Sequence, residues 1–500
     1  MKKLKTFLCA TLCFVATTSW AQMSNEDLIA QTQWINVESI ELAIGDMVSK
    51  HGADSSLFES ELKELKELVN RGFKGLEDGD DEAAKNASRA LELYRSIMMK
   101  NPLINDAQIY VSRFNLGQNS RKSMAPALGT QKNNWSNQQS NSYFGYNADI
   151  VKLSNLAGDV TPQTIYKTKD KAVISDLRLH WSGEKLMFTS VTDDKRLNIY
   201  EVSVSGSEDA KQLINTPEPD LEFYDGTYLP DGRILAISNI GYQAVPCVHG
   251  DDPVGNSVLY DPATESLRRL TFDQDANWNP VIRADGKVLY TRWEYTDLTH
   301  YFSRMVMTMN PDGTEQRAIY GSGEIFPNST FDLQPIPGSP SAFVATISGH
   351  HGIARSGRIM IIDPAKGNGV EGMVQELPYR NREIIPLVKD RLVDGVWPQF
   401  IKPMPINDSY FLVIAKLTPT SLWGIYLVDV FDNLVCLYQN EGEGFMSPIV
   451  ARSQEVPPTI LDRVNLDDKE ATVFIQDIYE GQGLARSTQR GGQEPTTSRL

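Results

Sequence analysis

Two residues with metal-binding side chains lie close together in one polar segment of this sequence. Cys247 and His249 fall within residues 241–256, where Gly and Pro are too frequent for a strand. A thiolate and an imidazole, joined by a second histidine, could supply three ligands to zinc. A Cys-x-His pair alone is a weak signal, and His249 beside Asp251 and Asp252 is equally well a solvated loop histidine. The candidate metal ligands are therefore Cys247 and His249, and the candidate cofactor is zinc.

A second group of side chains could perform acid–base chemistry. Carboxylates, an imidazole and a guanidinium lie in segments that read as loops. Such groups cleave glycans when two of them meet with perturbed pKa values. The alternative is that they form structural ion pairs within a long loop. The catalytic candidates are Glu294, Asp297, His300 and Arg355.

The elements that would carry these residues repeat along the chain. An apolar strand, a turn ending in Gly and a second apolar strand recur roughly every 45–55 residues, a spacing typical of propeller blades. The copies lie at residues 180–190, 228–271 and 282–292, with weaker ones at 337–348 and 404–416. We predict a mainly β fold, a six-bladed β-propeller of four-stranded antiparallel blades, with seven blades as the alternative. Residues 150–167 are expected to pair with late strands near Ile449 and at 472–478, which would close the ring.

The segments outside the repeat are assigned by composition and periodicity. Residues 1–21 have the charged start, apolar stretch and cleavage site of a signal peptide, so we expect cleavage after Ala21 and a periplasmic or secreted protein. The other assignments are an α-helical region at 22–113, an Asn/Gln/Ser-rich linker or draped, poorly ordered loop at 114–147, the propeller at 148–460, a ring-closing strand or the start of a further domain at 461–484, and a divergent, disordered tail at 485–500.

Charge and composition exclude several classes of function. The net charge of −16 opposes contact with phosphates, so no nucleic-acid partner is expected. After the signal peptide the sequence has no uninterrupted run of 18 apolar residues, so no transmembrane segment is predicted. A CxxCH sequence is absent, so the chain has no site for covalent haem. Cys436 lies in an apolar strand pattern and is expected to be a buried thiol.

Blade geometry predicts that the candidate residues converge on one face. In antiparallel blades, the loops between second and third strands open on the same side as the crossovers between blades, and sites are commonly built on such loops. His350 and His351, between two glycines, belong to this face, although a tight turn with imidazoles bonded to the backbone would explain them equally. The face is expected to carry Cys247, His249, Glu294, Asp297, His300, His350, His351 and Arg355.

Several stretches, in order, resemble the alpha-subunit-like proteins of hydrazine synthase over residues 101–484. They include YLPDGRI at 228–234, GYQAVPCVHG at 241–250, SGHHGIAR at 348–355 and SLWGIYLVDVFDN at 421–433. The resemblance implies a periplasmic propeller followed by a segment with c-type haem. It also implies that the cysteine matching Cys247 is a zinc ligand near that haem, that His350 and His351 face a haem domain, and that residues 461–484 begin the family's middle domain.

The sequence departs from this family after Leu484, where the haem-bearing segment would follow. We therefore expect a truncated or frame-shifted relative, with haem only in full-length relatives. Three functions remain open. The first is an exported scaffold or binding module, without catalysis on its own, whose loop face binds a partner protein or haem domain. The second is a truncated subunit of a periplasmic c-type-haem redox enzyme, and the third is a propeller glycan hydrolase or lyase.

Overall fold

Four helices precede the strands of the chain. The computed structural model describes residues 23–207, 209–295, 304–321 and 328–470. The helices are α1 Asn25–Thr32, α2 Val37–His51, α3 Ser56–Arg71 and α4 Asp81–Met99. The side chains of Ser24, Asn36 and Asp80 accept hydrogen bonds from first-turn N–H groups of α1, α2 and α4, which satisfies donors that have no partner within the helix. No helix in the described part of the chain is long and apolar enough to cross a membrane.

The apolar faces of these helices pack on the sheets. Ile40, Leu65 and Ile97 share one buried cluster with strand residues such as Ile150 and Ile425. The Tyr94 hydroxyl donates to Asn433 Oδ1 at 3.1 Å and accepts from the Leu434 N–H at 3.1 Å. The predicted N-terminal helices are thus confirmed, and they are part of the core rather than a separate arm.

The remainder of the described chain is mainly β, as predicted. Its strands are β1 Ile109–Asn115, β2 Ala148–Ser154, β3 Thr161–Lys167, β4 Ser175–Leu179, β5 Lys185–Val191, β6 Leu197–Ser203, β7 Lys211–Gln212, β8 Phe223–Tyr228, β9 Ile234–Ser238, β10 Asn256–Asp261, β11 Ser266–Arg269, β12 Asn277–Ile282, β13 Val288–Trp293, β14 Arg304–Met309, β15 Arg317–Tyr320, β16 Ser329–Pro335, β17 Phe343–Ser348, β18 Arg358–Ile362, β19 Met373–Leu377, β20 Gln399–Pro405, β21 Tyr410–Lys416, β22 Gly424–Asp429, β23 Leu434–Tyr438 and β24 Glu443–Val450.

These strands form antiparallel groups of four. Four separate sheets have the orders β24-β1-β2-β3, β4-β5-β6-β7, β8-β9-β10-β11 and β20-β21-β22-β23. The groups β12–β15 and β16–β19 are joined into one eight-stranded sheet by a single parallel bridge, Arg304 to Ser329. The first strand of each group contacts the first strands of two other groups, in the circular order β24, β4, β8, β12, β16, β20. The innermost strands therefore surround a common axis.

The sheet that joins the two ends of the chain differs from the prediction. Strand β24 pairs with β1, and β1 pairs with β2, so Tyr110 lies opposite both Ile449 and Lys152. Ile449 does take part in the closing sheet, but its partner comes from residues assigned to the helical region. That assignment is wrong at its C-terminal end, because Ile109–Asn115 is a largely buried, mainly apolar run, which suits a strand between two neighbours. Residues 472–478 lie outside the described residues.

Each innermost strand contains a bulge with one residue of positive φ. Asp and Asn tolerate this conformation better than most residues, because their short side chains bond to nearby backbone. The six residues are Asp176, Asp225, Asn279, Asp332, Lys402 and Ser447.

The bulge residues bond to one another around the axis. Asp225 Oδ2 accepts from the Asn279 N–H at 2.6 Å, and Asn279 Oδ1 accepts from the Asp332 N–H at 2.9 Å. The Lys402 ammonium lies 2.8 Å from Asp332 Oδ1 and 3.7 Å from Asp176 Oδ1. Burial and the nearby Asp176 raise the pKa of Asp225 to about 6. We call these residues the axial network.

Replacing the central ammonium tests the axial network. Lys402→Met leaves buried carboxylates without their cation, so we expect a loss of about 3–5 kcal/mol in the free energy of unfolding at neutral pH. The loss should be smaller near pH 5, because the unpaired carboxylates of the folded variant take up protons there. Urea unfolding at both pH values measures this. Lys185→Met, on a half-exposed lysine, is the matched control, and equal effects of the two variants would contradict the prediction.

Candidate functional site at the loop end of the sheets

The connections at one end of the sheets converge, as blade geometry predicts. This loop end comprises the β9–β10 connection at 239–255, the β17–β18 connection at 349–357 and the crossovers into the innermost strands. Residues 117–147, which we call the cover segment, lie across it. Of the two alternatives predicted for residues 114–147, the linker is wrong and the draped loop is nearer the structure, because polar side chains of this segment are buried against the loops. They include Ser120, Thr130, Gln131, Asn134, Ser136, Asn137 and Gln138.

Asn134 attaches the cover segment to the β17–β18 connection. Its Nδ2 donates to the carbonyl oxygens of Gly349 and Ile353, both at 2.9 Å. Its Oδ1 accepts from the Arg355 N–H at 2.7 Å. Gln138 reaches further inward, and its Nε2 donates to Asp176 Oδ2 of the axial network at 3.1 Å. The amide-rich composition that resembles a flexible linker therefore serves to satisfy loop backbone groups.

Trp135 is the aromatic centre of the site. Its ring centroid lies 5.5 Å from that of His350 and 5.0 Å from that of His351. Its indole N–H donates to Asp252 Oδ2 at 3.0 Å, and Lys132 Nζ lies 3.6 Å from Asp252 Oδ1. Sequence reasoning missed both Trp135 and Asp252. The sequence signal for Trp135 was a single Trp within an Asn/Gln/Ser-rich stretch, because a large aromatic ring in a polar segment usually packs against another part of the protein.

His350 is buried and cannot face a docked domain directly. Its Nδ1 lies 2.9 Å from Arg304 Nη1, and its ring contacts Trp293. Burial, the Arg304 charge and the His351 charge lower the pKa of His350 to about 3. The imidazole is therefore neutral at physiological pH, with Nδ1 placed to accept a hydrogen bond from the guanidinium.

His351 is the accessible member of the pair. Its Nδ1 lies 2.7 Å from Asp390 Oδ1, and its backbone N–H donates to the same oxygen at 3.1 Å. Partial burial by itself would raise the pKa of Asp390, but the hydrogen bonds from His351 outweigh it and lower that pKa. Asp390 lies in the β19–β20 crossover, far from His351 in sequence, so no local pattern indicated the pairing.

Arg355 is not placed to be a catalytic group. Its guanidinium lies between the rings of Trp278 and Phe331, at 4.7 and 4.2 Å from their centroids. It donates to the carbonyl oxygens of Asn133 and Ser136. Burial lowers the pKa of Arg355 to about 10, which still leaves it charged at neutral pH. The residue fastens the cover segment to the sheets.

The other acid–base candidates are only partly described. Glu294 is partly exposed, and its Oε1 lies 3.8 Å from Arg292 Nη2. Asp275, which the sequence reasoning did not select, lies nearby and accepts from the Tyr295 N–H at 2.7 Å. Burial raises the pKa of Asp275 to about 6. Asp297 and His300 lie outside the described residues.

The candidate metal pair occupies the β9–β10 connection. Residues Pro246–Val248 form a short 3-10 turn, and His249 follows it in an exposed, left-handed conformation. The Cys247 side chain is not among those described. Within the described residues, no three His, Cys, Asp or Glu side chains lie close enough together to hold a metal. The described residues do not by themselves form a zinc site, and zinc binding by Cys247 and His249 stays a prediction.

Exposed apolar side chains surround this site. Tyr242 is 64% exposed and Phe272 is 73% exposed. Arg269 lies between their segments, with its guanidinium 4.6 Å from the Phe272 ring centroid and 3.5 Å from Gln243 Oε1. Ile385 and Leu387 are exposed in the crossover that carries Asp390.

The sheets and their closure define a protein of the β-propeller class. No protein-family model matches the chain, and no curated protein matches it. Among solved structures, hydrazine synthase from Kuenenia stuttgartiensis is similar, with a TM-score of 0.51 and 14% identity over 71% of this chain and 48% of that chain. TolB from Acinetobacter baumannii has a TM-score of 0.41 and 12% identity over 74% of this chain and 73% of that chain. This chain thus spans about half the length of the hydrazine synthase chain. At 14% identity the likeness to hydrazine synthase shows the propeller fold alone, and membership of the hydrazine synthase alpha-like family stays a prediction.

Removing the Asn134 amide should loosen the cover segment. Asn134→Ala leaves the buried Arg355 N–H without its acceptor, and a buried unsatisfied group costs about 1–3 kcal/mol. The carbonyls of Gly349 and Ile353 each lose one donor but keep a serine hydroxyl. We expect a lower melting temperature and faster proteolysis within residues 117–147. Asn133→Ala is the matched control, because the Asn133 side chain makes no hydrogen bond with any described residue. Equal protease resistance of Asn134→Ala and the unmodified protein would show that Asn134 does not hold the segment.

The protonation of His350 can be observed directly. Its pKa of about 3 lies below the ordinary 6.5, so the unfolded chain binds a proton between these pH values that the folded protein does not. His350 should therefore lower stability on acidification through this range. Its Cε1 proton resonance, assigned by its loss in His350→Gln, should not shift between about pH 7 and pH 4.5. A titration midpoint near 6.5 would contradict the buried geometry.

Proposed function

We propose that this protein is an exported, six-bladed β-propeller that works as a binding module, with a partner protein docking on its loop end. Six groups of four strands and the circular order of their first strands support the blade count. The signal-peptide pattern of residues 1–21 supports export, which would place the protein in the periplasm or outside the cell.

The exposed aromatic residues beside Arg269 carry this proposal. Tyr242 and Phe272 lie on connections held by a rigid scaffold, and exposed aromatic and Arg side chains are typical of protein interfaces. Exposed apolar side chains that are grouped at one end of a protein commonly mark an interaction site. Ile385 and Leu387 extend the apolar surface along the same end.

A binding role also fits the acid–base groups better than catalysis does. Glycan cleavage needs two titratable groups facing an open space. Of the four catalytic candidates, Arg355 is held between two aromatic rings and does not face an open space. His350 is neutral but buried, so it is not placed to act as a general base on a substrate. The accessible His351–Asp390 pair is suited to polar contacts at the rim of a docking surface.

A haem-bearing domain is the second candidate for the docked partner. The segment GYQAVPCVHG, which resembles hydrazine synthase alpha-like proteins, contains Tyr242. Gln243 of the same segment lies 3.5 Å from Arg269, whose guanidinium contacts the Phe272 ring. A haem domain bound there would lie next to Cys247 and His351. In this alternative the chain is one part of a periplasmic redox enzyme, and the haem-bearing partner supplies the redox chemistry.

Site-specific photo-cross-linking in the native host tests docking on the loop end. A photoreactive residue at exposed Gln243 should give one dominant adduct, and the same residue at exposed Thr264, in the β10–β11 turn at the other end, should give none. Tyr242→Ala/Phe272→Ala should reduce the adduct roughly tenfold, since aromatic anchors commonly carry about 2 kcal/mol or more of binding energy.

The control and the readout separate the alternatives. Val374→Ala, on an exposed valine of β19, should leave the adduct unchanged. Adducts of equal yield from both ends, or an adduct indifferent to the double substitution, would contradict the proposal. Haem staining of the adduct distinguishes a haem-bearing partner from another protein.

A further inference from the structure

A cavity of about 430 Å³ opens at the end of the axis opposite the cover segment. Its wall comprises residues that follow the bulges in all six innermost strands, among them Arg178, Thr227, Val281, Gln334, Met404 and Ile449. Residues 452–457 border it, held by a hydrogen bond from the Gln454 N–H to the Trp181 carbonyl at 2.8 Å. The volume lies within the range of roughly 300–1,000 Å³ typical of small-molecule sites.

The wall is mostly apolar but contains one inward guanidinium with unused donors. Arg178 has a side chain that is 16% exposed, and its ion-pair contact is with Asp225 Oδ1 at 3.8 Å, beyond hydrogen-bond distance. Arg178 Nε and Trp181 Nε1 are buried, and neither has a hydrogen-bond partner among the described residues. A buried donor without a partner is costly, so these groups favour a ligand that accepts hydrogen bonds.

Charge in the wall favours an anion. Arg178 lies within the cavity and Arg452 at its rim, while Glu455 is the one carboxylate among the described residues that line it. Asp225 lies beneath Arg178 but belongs to the axial network, where it bonds to Asn279. A guanidinium binds a carboxylate through paired hydrogen bonds, and the surrounding apolar wall accommodates a hydrocarbon body.

We infer that this cavity binds a small organic carboxylate, with its carboxylate on Arg178 and its apolar body against Val281, Pro335 and Met404. The site is separate from the loop end, so it does not depend on the proposed docking of a partner there. It adds a small-molecule function to the same propeller, at the opposite end of its axis.

Calorimetric titration of the full-length protein with benzoate and with its neutral isostere benzamide tests this inference. Benzoate should bind at one site per chain, and benzamide at least about tenfold more weakly, as expected for loss of a charge-assisted hydrogen-bond pair. Arg178→Met keeps the apolar stem and should weaken benzoate to the level of benzamide. Arg89→Met, on an exposed arginine of α4, should leave both affinities unchanged.

A second variant guards against a general effect of losing Arg178. Ala284 is exposed at the rim of the cavity, so Ala284→Trp should block entry and abolish binding of both probes while the melting temperature stays the same. Absence of benzoate binding, equal affinities for benzoate and benzamide, or benzoate binding that persists in Ala284→Trp or is unaffected in Arg178→Met would each overturn the inference.

Discussion

The ammonium of Lys402, held between Asp332 and Asp176, is the interaction on which the interior of this propeller depends. Six strands that meet around an axis bring their bulges together, and the bulge residues are polar. Charge is tolerated in such a place only when every carboxylate has a cation or a donor nearby. Lys402 supplies that cation, and backbone N–H groups of neighbouring strands supply the donors.

The axial network also joins the two ends of the molecule. Gln138 of the cover segment donates to Asp176 from one side, and Arg178 approaches Asp225 from the other. The cover segment thereby seals the axis at the loop end, while the opposite end keeps its cavity. The two candidate sites therefore have different characters. The loop end presents exposed apolar side chains around a covered centre, which suits a protein surface. The opposite end presents a concave wall with one guanidinium, which suits a small anion.

The cover segment also explains why the loop-end residues take the roles that they do. Arg355 donates to the backbone of the cover segment and to the side chain of Asn134 within it. Trp135, also in the cover segment, packs against the two histidines. The hydrogen bonds of Arg355 use a backbone N–H and a guanidinium that would otherwise be buried without a partner. Histidines and an arginine that resemble catalytic residues are here largely employed in holding one segment of chain against another.

The sequence by itself determined the class of fold, because strand periodicity and Gly turns depend on neighbouring residues and repeat along the chain. It also located the loops that share one end, since antiparallel order follows from hairpin turns. Only the tertiary structure decided which strand closes the ring, that residues 117–147 are a cover, and which candidates remain accessible. His350 contacts Arg304, His351 contacts Asp390, and Arg355 donates to Asn133. The two residues of each pair are far apart in the sequence, so only the packing of distant segments brings them together. Burial and pKa arise from that packing, so no local pattern in the sequence could have revealed the neutral His350 or the unpaired donor of Arg178.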